Sequence, residues 1–554
     1  MFRSTRRYRR AAAVTIGVVA ALALAPASAF AHGNDHGSEE REEKRARFLD
    51  GTSVPMVTSP NVRFVTNVPD TAGISGIFAK SAPYFYVSST DSISVYDVSD
   101  PLSPRIVGTL PNLVFENEAI NYGEKRGKGG KIERFVLVGA DLFQYTPTEP
   151  DHLGFTNEVV VVDVTDPANP HVRSRVPTQT NTHTISCVDQ TDCRYAYTAG
   201  RNGEFSVIDL TDLDNPEELQ VFESPAGKPN EVFTRGAGHK WNFDDAGYGF
   251  HTGSGGTAVF DVSDPAKPVP VEGTNELGTD NRPEGPNAGW NNFIHHNAFR
   301  PNATRFTEGA PPSVENGNVL LVTEEDYAND GEELACDQAG TFQTWYVPTL
   351  DGAAYRAGNP DLEPDLGNMR PLDKINAPAE GGGLSTPVGG FCSGHWFDYH
   401  DSGIVAQGYY QQGMRLTDVR DPGDLKQYGW FTSGVSEVWD AYWVPQRNSN
   451  GIATGKQTNI VYSVDLVRGL DVLTVDLPGD ETMPPIVDLS VADASQTAAI
   501  PPNGTGGGAS GTGWVALLAA AVAIAALRYR GRFPLAWMGS LPLTRKPADP
   551  HLHR

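Results

Sequence analysis

Short apolar runs of strand-forming residues recur along the chain, and each of them contains an aspartate at its polar end. The runs are rich in valine and isoleucine, which favour strands with buried faces. An Asp-Pro pair follows most of them, and proline ends a strand because it cannot donate to the ladder. The runs lie at 93–101, 159–167, 205–212, 258–265, 415–422 and, in a shorter form, 472–476.

The spacing of these runs indicates a repeat protein built from β-strands. Roughly 45–65 residues separate neighbouring units, which is about the length of one four-stranded propeller blade. Each run has strand-like segments on both sides, and no long amphipathic helix is predicted between residues 61 and 477. We therefore expect an all-β fold, a seven-bladed β-propeller of four-stranded antiparallel blades. Its fifth blade would carry an insertion at 327–390, as a lid over the channel or as decoration.

The chain also predicts how the ring of blades closes. No good outer strand follows the last run, because Leu477 leads into proline and glycine. Residues 63–69, which precede the first complete unit, have the pattern of an outer strand. An N-terminal strand would therefore complete the last blade and remove the edge that an open ring exposes.

The repeated sequences resemble a known family. DVSDP at 97–101 and VVVVDVTDP at 159–167 are similar to the LVIVD repeat, a propeller repeat of bacterial and archaeal surface proteins. The resemblance covers roughly residues 61–477 and implies a propeller that is displayed outside the cell. It implies little about chemistry, since one fold hosts many functions.

The two ends of the chain predict export and anchoring. Residues 1–31 have a basic start, an apolar stretch and small residues before a cleavage point, as a Sec or twin-arginine signal peptide does. Residues 514–531 begin with an apolar run that leads into arginines, which predicts a transmembrane helix and a cytoplasmic tail at 532–554. An uncleaved signal anchor and a buried core helix are the respective alternatives.

Composition predicts the remaining segments of the chain and narrows the classes of ligand. Residues 32–60 are rich in charge and predicted to be disordered, the propeller occupies 61–490, and a flexible linker at 491–513 leads to the membrane. The formal net charge of −25 excludes nucleic-acid binding, because such binding needs cations that neutralise phosphates. We expect a monomer that is anchored in the cell membrane with its propeller outside.

Four cysteines in an exported chain predict two disulfides. Cys187 and Cys193 flank a polar stretch, as two facing strands of a hairpin would. That pairing leaves Cys336 and Cys392 to staple the long insertion. Four cysteines allow three pairings, so the other two stay open at this point.

A second set of residues occupies one shared position in the repeat, at the start of the innermost strand of each unit. Unit two has Glu118 at this place and unit seven has Asp440. Innermost strands line the channel of a propeller, so residues at one height on successive blades converge on the axis. Histidines occupy this place in four successive units, as His183, His239, His296 and His395.

Four imidazoles with nearby carboxylates form a ligand set for a divalent transition metal. Imidazole suits iron, copper and zinc, and carboxylates such as Glu118 and Asp440 are predicted to hold the ligating rings in orientation. The arrangement is similar to that of carotenoid-cleaving oxygenases, which hold iron with four histidines from separate blades. Selenium-binding proteins also resemble it in their histidine-rich inner strands, but this chain lacks their cysteine pair.

Other interpretations of these residues stay open. Duplication alone could repeat a histidine that bonds to its neighbouring blade, and the ring could form a ligand pocket without metal. His296 is preferred to His295 because neighbouring strand residues point to opposite faces. His251 and His400 are predicted at the surface or in a loop, and the acidic run at 324–326 is predicted as a solvated turn.

Two functions follow from these predictions. The first is a cell-surface propeller that binds an unidentified partner or small-molecule ligand, with a histidine-bound metal in its channel as an added feature. The second is an oxidase or oxygenase that depends on a metal held by the four histidines. A structural envelope protein is a third and weaker interpretation.

Overall fold

Seven antiparallel β-sheets make up the protein in the computed structural model. Six of the sheets have four strands and one has five. They are the blades of a β-propeller, so the predicted all-β fold and its seven blades are confirmed. The structure describes residues 38–479 except 90–91, 112–117, 142–156, 201–203, 223–237, 275–288, 292, 327–335, 337–339, 353–368 and 385–391.

Each of the first five blades uses four consecutive strands, which run from the channel outward in sequence order. Blade 1 has β3 (Gly73–Phe78), β4 (Tyr84–Ser89), β5 (Ser92–Asp97) and β6 (Arg105–Pro111). Blade 2 has β7 (Asn121–Arg126), β8 (Ile132–Asp141), β9 (Asn157–Asp163) and β10 (His171–Pro177). Blade 3 has β11 (Thr184–Cys187), β12 (Tyr195–Ala199), β13 (Phe205–Asp209) and β14 (Glu217–Phe222).

The later blades repeat this plan, and the last two also take strands from the N-terminal segment. Blade 4 has β15 (Gly238–Phe243), β16 (Tyr248–Gly253), β17 (Gly256–Asp261) and β18 (Val269–Gly273). Blade 5 has β19 (Ile294–Phe299), β20 (Val319–Glu325), β21 (Phe342–Tyr346) and β22 (Arg370–Ile375). Blade 6 has β23 (Phe397–His400), β24 (Ile404–Gly408), β25 (Met414–Asp418), β26 (Lys426–Ser433) and β1 (Met56–Thr58). Blade 7 has β27 (Val438–Arg447), β28 (Ala453–Asp465), β29 (Gly469–Val475) and β2 (Val62–Val68).

The ring closes through the N-terminal strand β2. It pairs antiparallel with β29, and Val62 lies opposite Val475 while Val68 lies opposite Leu470. The predicted completion of the last blade is therefore confirmed. The insertion predicted at 327–390 contains β21 and β22, so part of that segment belongs to blade 5 itself.

The N-terminal segment differs from the sequence expectation. Residues 32–60 are predicted to be disordered, whereas the structure has helix α1 at Ser38–Leu49 and strand β1 within that range. Arg41 forms an ion pair of 2.8 Å with Glu437, and Arg45 donates to the backbone carbonyl of Val467 at 2.8 Å. The charges that suggest disorder are thus partly paired with blade 7.

Apolar strands are buried on both faces because each blade is covered by its neighbours. In the cluster between blades 1 and 2, Tyr86 and Val95 pack with Val136, Val160 and Val162. The valine-rich runs found in the sequence therefore form the core between blades, which fixes each inner strand against the channel.

Both predicted disulfides are present, Cys187–Cys193 and Cys336–Cys392. Disulfides persist in oxidising compartments, which agrees with export. In the part of the chain that the structure describes, we find no helix that has the length and apolar character to cross a membrane. The predicted signal peptide at 1–31, linker at 491–513, membrane segment at 514–531 and tail at 532–554 lie outside the described residues.

Candidate metal centre

A recurring β-bulge sets the height at which side chains enter the channel. In four blades the register between the first and second strands shifts by one residue, and one residue of the inner strand is left extra. Since these four residues occupy the same place in their blades, they are structural equivalents. They are Ile74, His239, His296 and Trp439.

The other site residues lie just before the inner strands of their blades. His183 directly precedes β11, and His395 lies two residues before β23. The His395 backbone N–H donates to the carbonyl of Gly408 on β24 at 3.1 Å, which holds it in line with its sheet. Glu118 precedes β7 in blade 2. Sheet pairing and bulges together bring these residues to one level of the channel.

All four predicted histidines converge on the carboxylate of Glu118. Nε2 of His183 lies 2.6 Å from Glu118 Oε2, and Nε2 of His296 lies 2.8 Å from Oε1. Nε2 of His239 and Nε2 of His395 lie 3.3 and 3.2 Å from the same Oε1. The five residues are at most 6% exposed. The predicted meeting of the four histidines therefore agrees with the geometry. Glu118, predicted to hold the rings in orientation, instead lies against their Nε2 atoms.

The outer nitrogens of two rings are held by the neighbouring blade. His239 Nδ1 lies 3.1 Å from the carbonyl oxygen of His296, and His395 Nδ1 lies 2.7 Å from that of Trp439. A carbonyl can only accept, so each Nδ1 carries the proton and donates it. In the neutral ring, Nε2 then presents a lone pair to the centre of the cluster.

Burial favours the neutral form of His239 and His296. It lowers the pKa of His239 and lowers that of His296 well below the ordinary value. The Nε2 lone pair of neutral His239 consequently faces Glu118 Oε1 at 3.3 Å, a contact that is repulsive on its own. A cation among the Nε2 atoms would convert this repulsion into ligation. The residues present therefore fit a metal ion.

A second carboxylate, Glu325, reaches the cluster from the end of β20. Its oxygens lie 3.6 Å from His296 Nε2 and 3.7 Å from His395 Nε2. The prediction of a solvated turn at 324–326 is wrong, since all three side chains are buried. The strand register carries the missed signal: Glu325 lies opposite Ile294, two residues from His296.

Tyr410 supports Glu325 from a strained backbone position. Its φ is 45°, a left-handed conformation that bulky residues rarely adopt. Its hydroxyl donates to Glu325, and its ring centroid lies 4.8 Å from that of His395. The sequence shows no signal for this residue, because its role depends on a turn between β24 and β25.

The predicted place of Asp440 needs correction. The bulge in blade 7 falls on Trp439, so Asp440 lies one layer below the histidines. There its carboxylate accepts from the hydroxyl of Tyr442, from Ser75 Oγ at 3.4 Å and from the Ala441 backbone N–H at 2.9 Å. The sequence alignment misses this shift because a bulge adds one residue without changing the apolar pattern.

Three further histidines of the described residues, all singled out in the sequence, lie outside the ring. His295 is hydrogen-bonded to Thr257 Oγ1 and to the carbonyl of Trp290, each at 2.9 Å, which agrees with the preference for His296 as the inward residue. His251 and His400 are 0% and 9% exposed, so their predicted surface positions are wrong. The His251 ring stacks on that of Trp241 at 4.5 Å, and burial lowers its pKa to about 3.

The side of the cluster that faces blades 7 and 1 is apolar. Ile74, Tyr410, Trp439 and Leu466 form a buried group on the side of blades 7 and 1. The ring of Trp439 lies 5.0 Å from that of His395. The site is therefore asymmetric, with its polar ligand atoms supplied by blades 2 to 6 and a water-excluding wall opposite them.

Comparison with known protein families agrees with the repeat found in the sequence. The protein is a seven-bladed β-propeller with a buried cluster that could hold a metal. Residues 153–178 match the LVIVD repeat, which confirms the resemblance seen in the sequence. Among curated proteins, no sequence matches this chain. The β-propeller domain of Myceliophteria thermophila Cps50 (Swd1) aligns over 75% of this chain and 100% of its own length, at 12% identity and a TM-score of 0.45. A likeness at this level carries no information on function.

Proposed function

We propose that this protein is an exported metalloprotein that binds one divalent transition metal, iron, copper or zinc, at the four-histidine cluster. We further propose that the metal serves an oxidase or oxygenase reaction. The observation that carries the metal site is the orientation of the rings. The Nδ1 atoms of His239 and His395 are committed to backbone carbonyls, which leaves their Nε2 atoms aimed at the centre.

The make-up of the ligand set supports a first-row transition metal. Four imidazoles come from four separate blades, and their ligand atoms are closely spaced, with His183 Nε2 and His239 Nε2 at 3.1 Å. Imidazole nitrogen suits iron, copper and zinc, whereas calcium and magnesium prefer oxygen. Glu118 supplies a negative charge that offsets part of the charge of the cation.

Groups beyond the four rings support a reactive role over a structural one. A structural zinc site is closed by four protein ligands and needs nothing more. Here Glu325 adds a second buried carboxylate, and the hydroxyl of Tyr410 bonds to it. Such a pair can hold or release a proton at Glu325 Oε1, and the wall around Trp439 keeps water from one side. A bound iron or copper would supply the electron transfer that an oxidase or oxygenase needs.

Two features support a site of action outside the cytoplasm. Both disulfides fit an oxidising compartment, and the basic, apolar start of the chain fits export. We propose that the propeller is displayed at the cell surface and tethered through residues 514–531. Protease treatment of intact cells would cleave the propeller if this topology holds, and protection in intact but not in lysed cells would contradict it.

The metal content of the purified full-length protein tests the proposed site. We expect close to one transition metal per chain, and loss of nearly all of it in the double variant His239→Ala, His395→Ala. His400→Ala serves as a control because that ring bonds to Ser402 outside the cluster. Metal-free wild-type protein after incubation with iron, copper and zinc salts would contradict the proposal. If zinc is the native metal, the metal site stands but the oxidase or oxygenase assignment falls.

A binding protein is the second candidate function. It is favoured by a cavity of about 650 Å³ in the channel. This volume lies in the range of roughly 300–1,000 Å³ that small-molecule sites occupy. A metal that is present but redox-inactive, together with saturable ligand binding in the cavity, would favour this candidate.

A further inference from the structure

The channel cavity is lined by residues of the layer below the imidazoles. Among them are Ser75, Lys240, Trp396, Asp440 and Tyr442. Lys240 and Trp396 each follow a cluster histidine in the chain, and Asp440 follows Trp439. The cavity also reaches Ile452, which is 42% exposed and marks a mouth to solvent. The cavity and the histidine cluster are thus consecutive layers of one channel.

The indole of Trp396 separates these two layers. Its ring centroid lies 4.2 Å from that of His296 and 5.4 Å from that of His239. None of the four cluster histidines is among the residues that line the cavity within the described part of the chain. A ligand in the cavity would therefore contact protein side chains instead of the metal.

Lys240 places a positive charge at the buried end of the cavity. The residue is 8% exposed, and its ammonium nitrogen lies 4.9 Å from the centre of the Trp396 ring. Among the described residues, no carboxylate forms an ion pair with it. A buried charge without a partner is costly, and an anion from solution would relieve that cost.

Asp440, the acid of the same layer, is engaged elsewhere. Its carboxylate is bonded to Tyr442, Ser75 and the Ala441 backbone N–H. Burial raises its pKa well above the ordinary value, so the neutral acid is favoured. Glu124 and Asp398 also line the cavity, but among the described residues none of these three carboxylates forms an ion pair with the Lys240 ammonium.

The side chains that line the cavity around Lys240 indicate which shape of anion would fit there. Trp396, Tyr442 and Phe78 line the cavity with flat aromatic surfaces. The indole N–H of Trp396 is buried and has no acceptor among the described residues. We propose that this cavity is a second ligand site that binds small aromatic carboxylates, with the carboxylate at Lys240 and the ring between the aromatic walls. The proposal goes beyond the metal site and does not rest on it.

Benzoate and benzamide form the probe pair, because they share a shape and differ in charge. Binding is measured by titration calorimetry on full-length protein freed of metal with a chelator, so that the metal cannot bind the carboxylate. We expect saturable binding of benzoate and at least about tenfold weaker binding of benzamide, since a hydrogen bond to a charged group is lost. Equal binding of both probes, or no binding of benzoate, would overturn the proposal.

Substitution of Lys240 gives the second arm of the test. Lys240→Met keeps the length of the side chain, and we expect it to weaken benzoate binding by about tenfold or more. Lys240→Arg should retain most of the affinity. Lys374→Met is a matched control, because the Lys374 ammonium also lies over an indole, that of Trp290 at 5.1 Å, but outside the cavity.

The results of the two arms remain separable from those of the metal test. Unchanged benzoate binding in Lys240→Met would overturn the assignment even if the metal site is real. If Lys240→Met fails to fold, as judged by circular dichroism, the comparison of benzoate with benzamide on the wild-type protein still decides. Loss of metal in the histidine variants with retained benzoate binding would show that the two sites are independent.

Discussion

Two sets of residues recur from blade to blade in this propeller: aspartates at the ends of the third strands, and histidines at the channel. The aspartates act within their own blades. The carboxylates of Asp163, Asp209 and Asp261 accept from the backbone N–H two residues later at 2.8, 2.7 and 2.9 Å. The histidines act between blades, since Nε2 atoms from four of them meet at Glu118.

This difference shows that a residue can recur from blade to blade for two reasons. It can be needed by the structure of every blade, or it can belong to one site that several blades share. A turn is needed wherever a strand ends, so its aspartate returns around the ring. A ligand set needs only a few members, and the histidines stop at blades 7 and 1, where Trp439 and Ile74 take the equivalent places. The Nδ1 bonds of His239 and His395 to the next blade do support packing. Packing between blades alone does not require that the Nε2 atoms of four rings converge on one point.

The largest expected effect comes from substituting His296, and substitution of its neighbour His295 gives the comparison. His296→Gln removes a ring that points to the cluster, whereas His295→Gln changes a ring that bonds to Thr257 and Trp290. We expect metal affinity to fall by more than about 100-fold in His296→Gln, beyond the effect of losing a supporting group. Competition with a chelator of known affinity measures this difference.

The His295→Gln variant is the matched control for that experiment. Its metal affinity should stay within a few-fold of the wild-type value, and its thermal unfolding shows whether the loss of two hydrogen bonds affects the fold. Equal losses of metal in both variants would mean that the cluster fails through instability and would break the distinction drawn here.

Tyr410→Phe should have the next largest effect. The variant keeps the ring beside His395 but removes the hydroxyl that donates to Glu325. We expect metal affinity to fall by about 10-fold, as for other groups that support a ligand set. An unchanged metal affinity would show that Tyr410 only fills space.

His251 is a buried histidine that belongs neither to the repeated aspartates nor to the channel histidines. Its folded-state pKa is about 3, below the ordinary 6.5, so the unfolded chain binds the proton more readily. Its contribution to stability is present above pH 6.5 and is lost as the pH falls from there toward 3. The loss is about 1.4 kcal/mol per pH unit, or roughly 2 kcal/mol at pH 5.

The variant His251→Phe should remove this acid dependence while keeping the stacking on Trp241. Chemical denaturation at pH 7.5 and pH 5 measures it as a smaller loss of stability than in the wild-type protein. His171→Gln, at an exposed position, is the control and should leave the dependence unchanged. An equal acid dependence in all three proteins would contradict the assigned pKa.

The smallest effect is expected at the aspartates. Asp209→Ala removes one acceptor for the backbone N–H of Thr211 and should lower the free energy of unfolding by about 1 kcal/mol. The metal content should not change, because the carboxylate takes part only in its turn. A loss of metal in this variant, with the fold retained, would erase the contrast between the two sets.

Much of the fold can be predicted from the sequence because the repeat is local. Each valine-rich run and its Asp-Pro end mark a third strand, and the absent outer strand after Leu477 points to closure by β2. The four histidines and Glu118 follow from the same alignment, since equal places on inner strands meet at the axis. The disulfide pairs follow from hairpin spacing and elimination.

The errors have a common physical origin, which is contact between segments that are distant in sequence. The bulge at Trp439 moves Asp440 down one layer, although the apolar pattern is unchanged. Glu325 is acidic and lies at a strand end, yet it is buried because the other blades enclose it. Helix α1 forms from a segment in which Arg41 and Arg45 find partners on blade 7. Local pattern specifies blades, while the ring decides which polar side chains are enclosed.

Anomalous diffraction from crystals of the metal-loaded full-length protein tests the central claim most directly. Anomalous difference maps from data collected on both sides of the absorption edge locate the bound metal and identify its element. We predict one strong peak on the channel axis, within bonding distance of the Nε2 atoms of His183, His239, His296 and His395. A peak at another place, or no peak while Glu118 still contacts the four rings, would contradict the account.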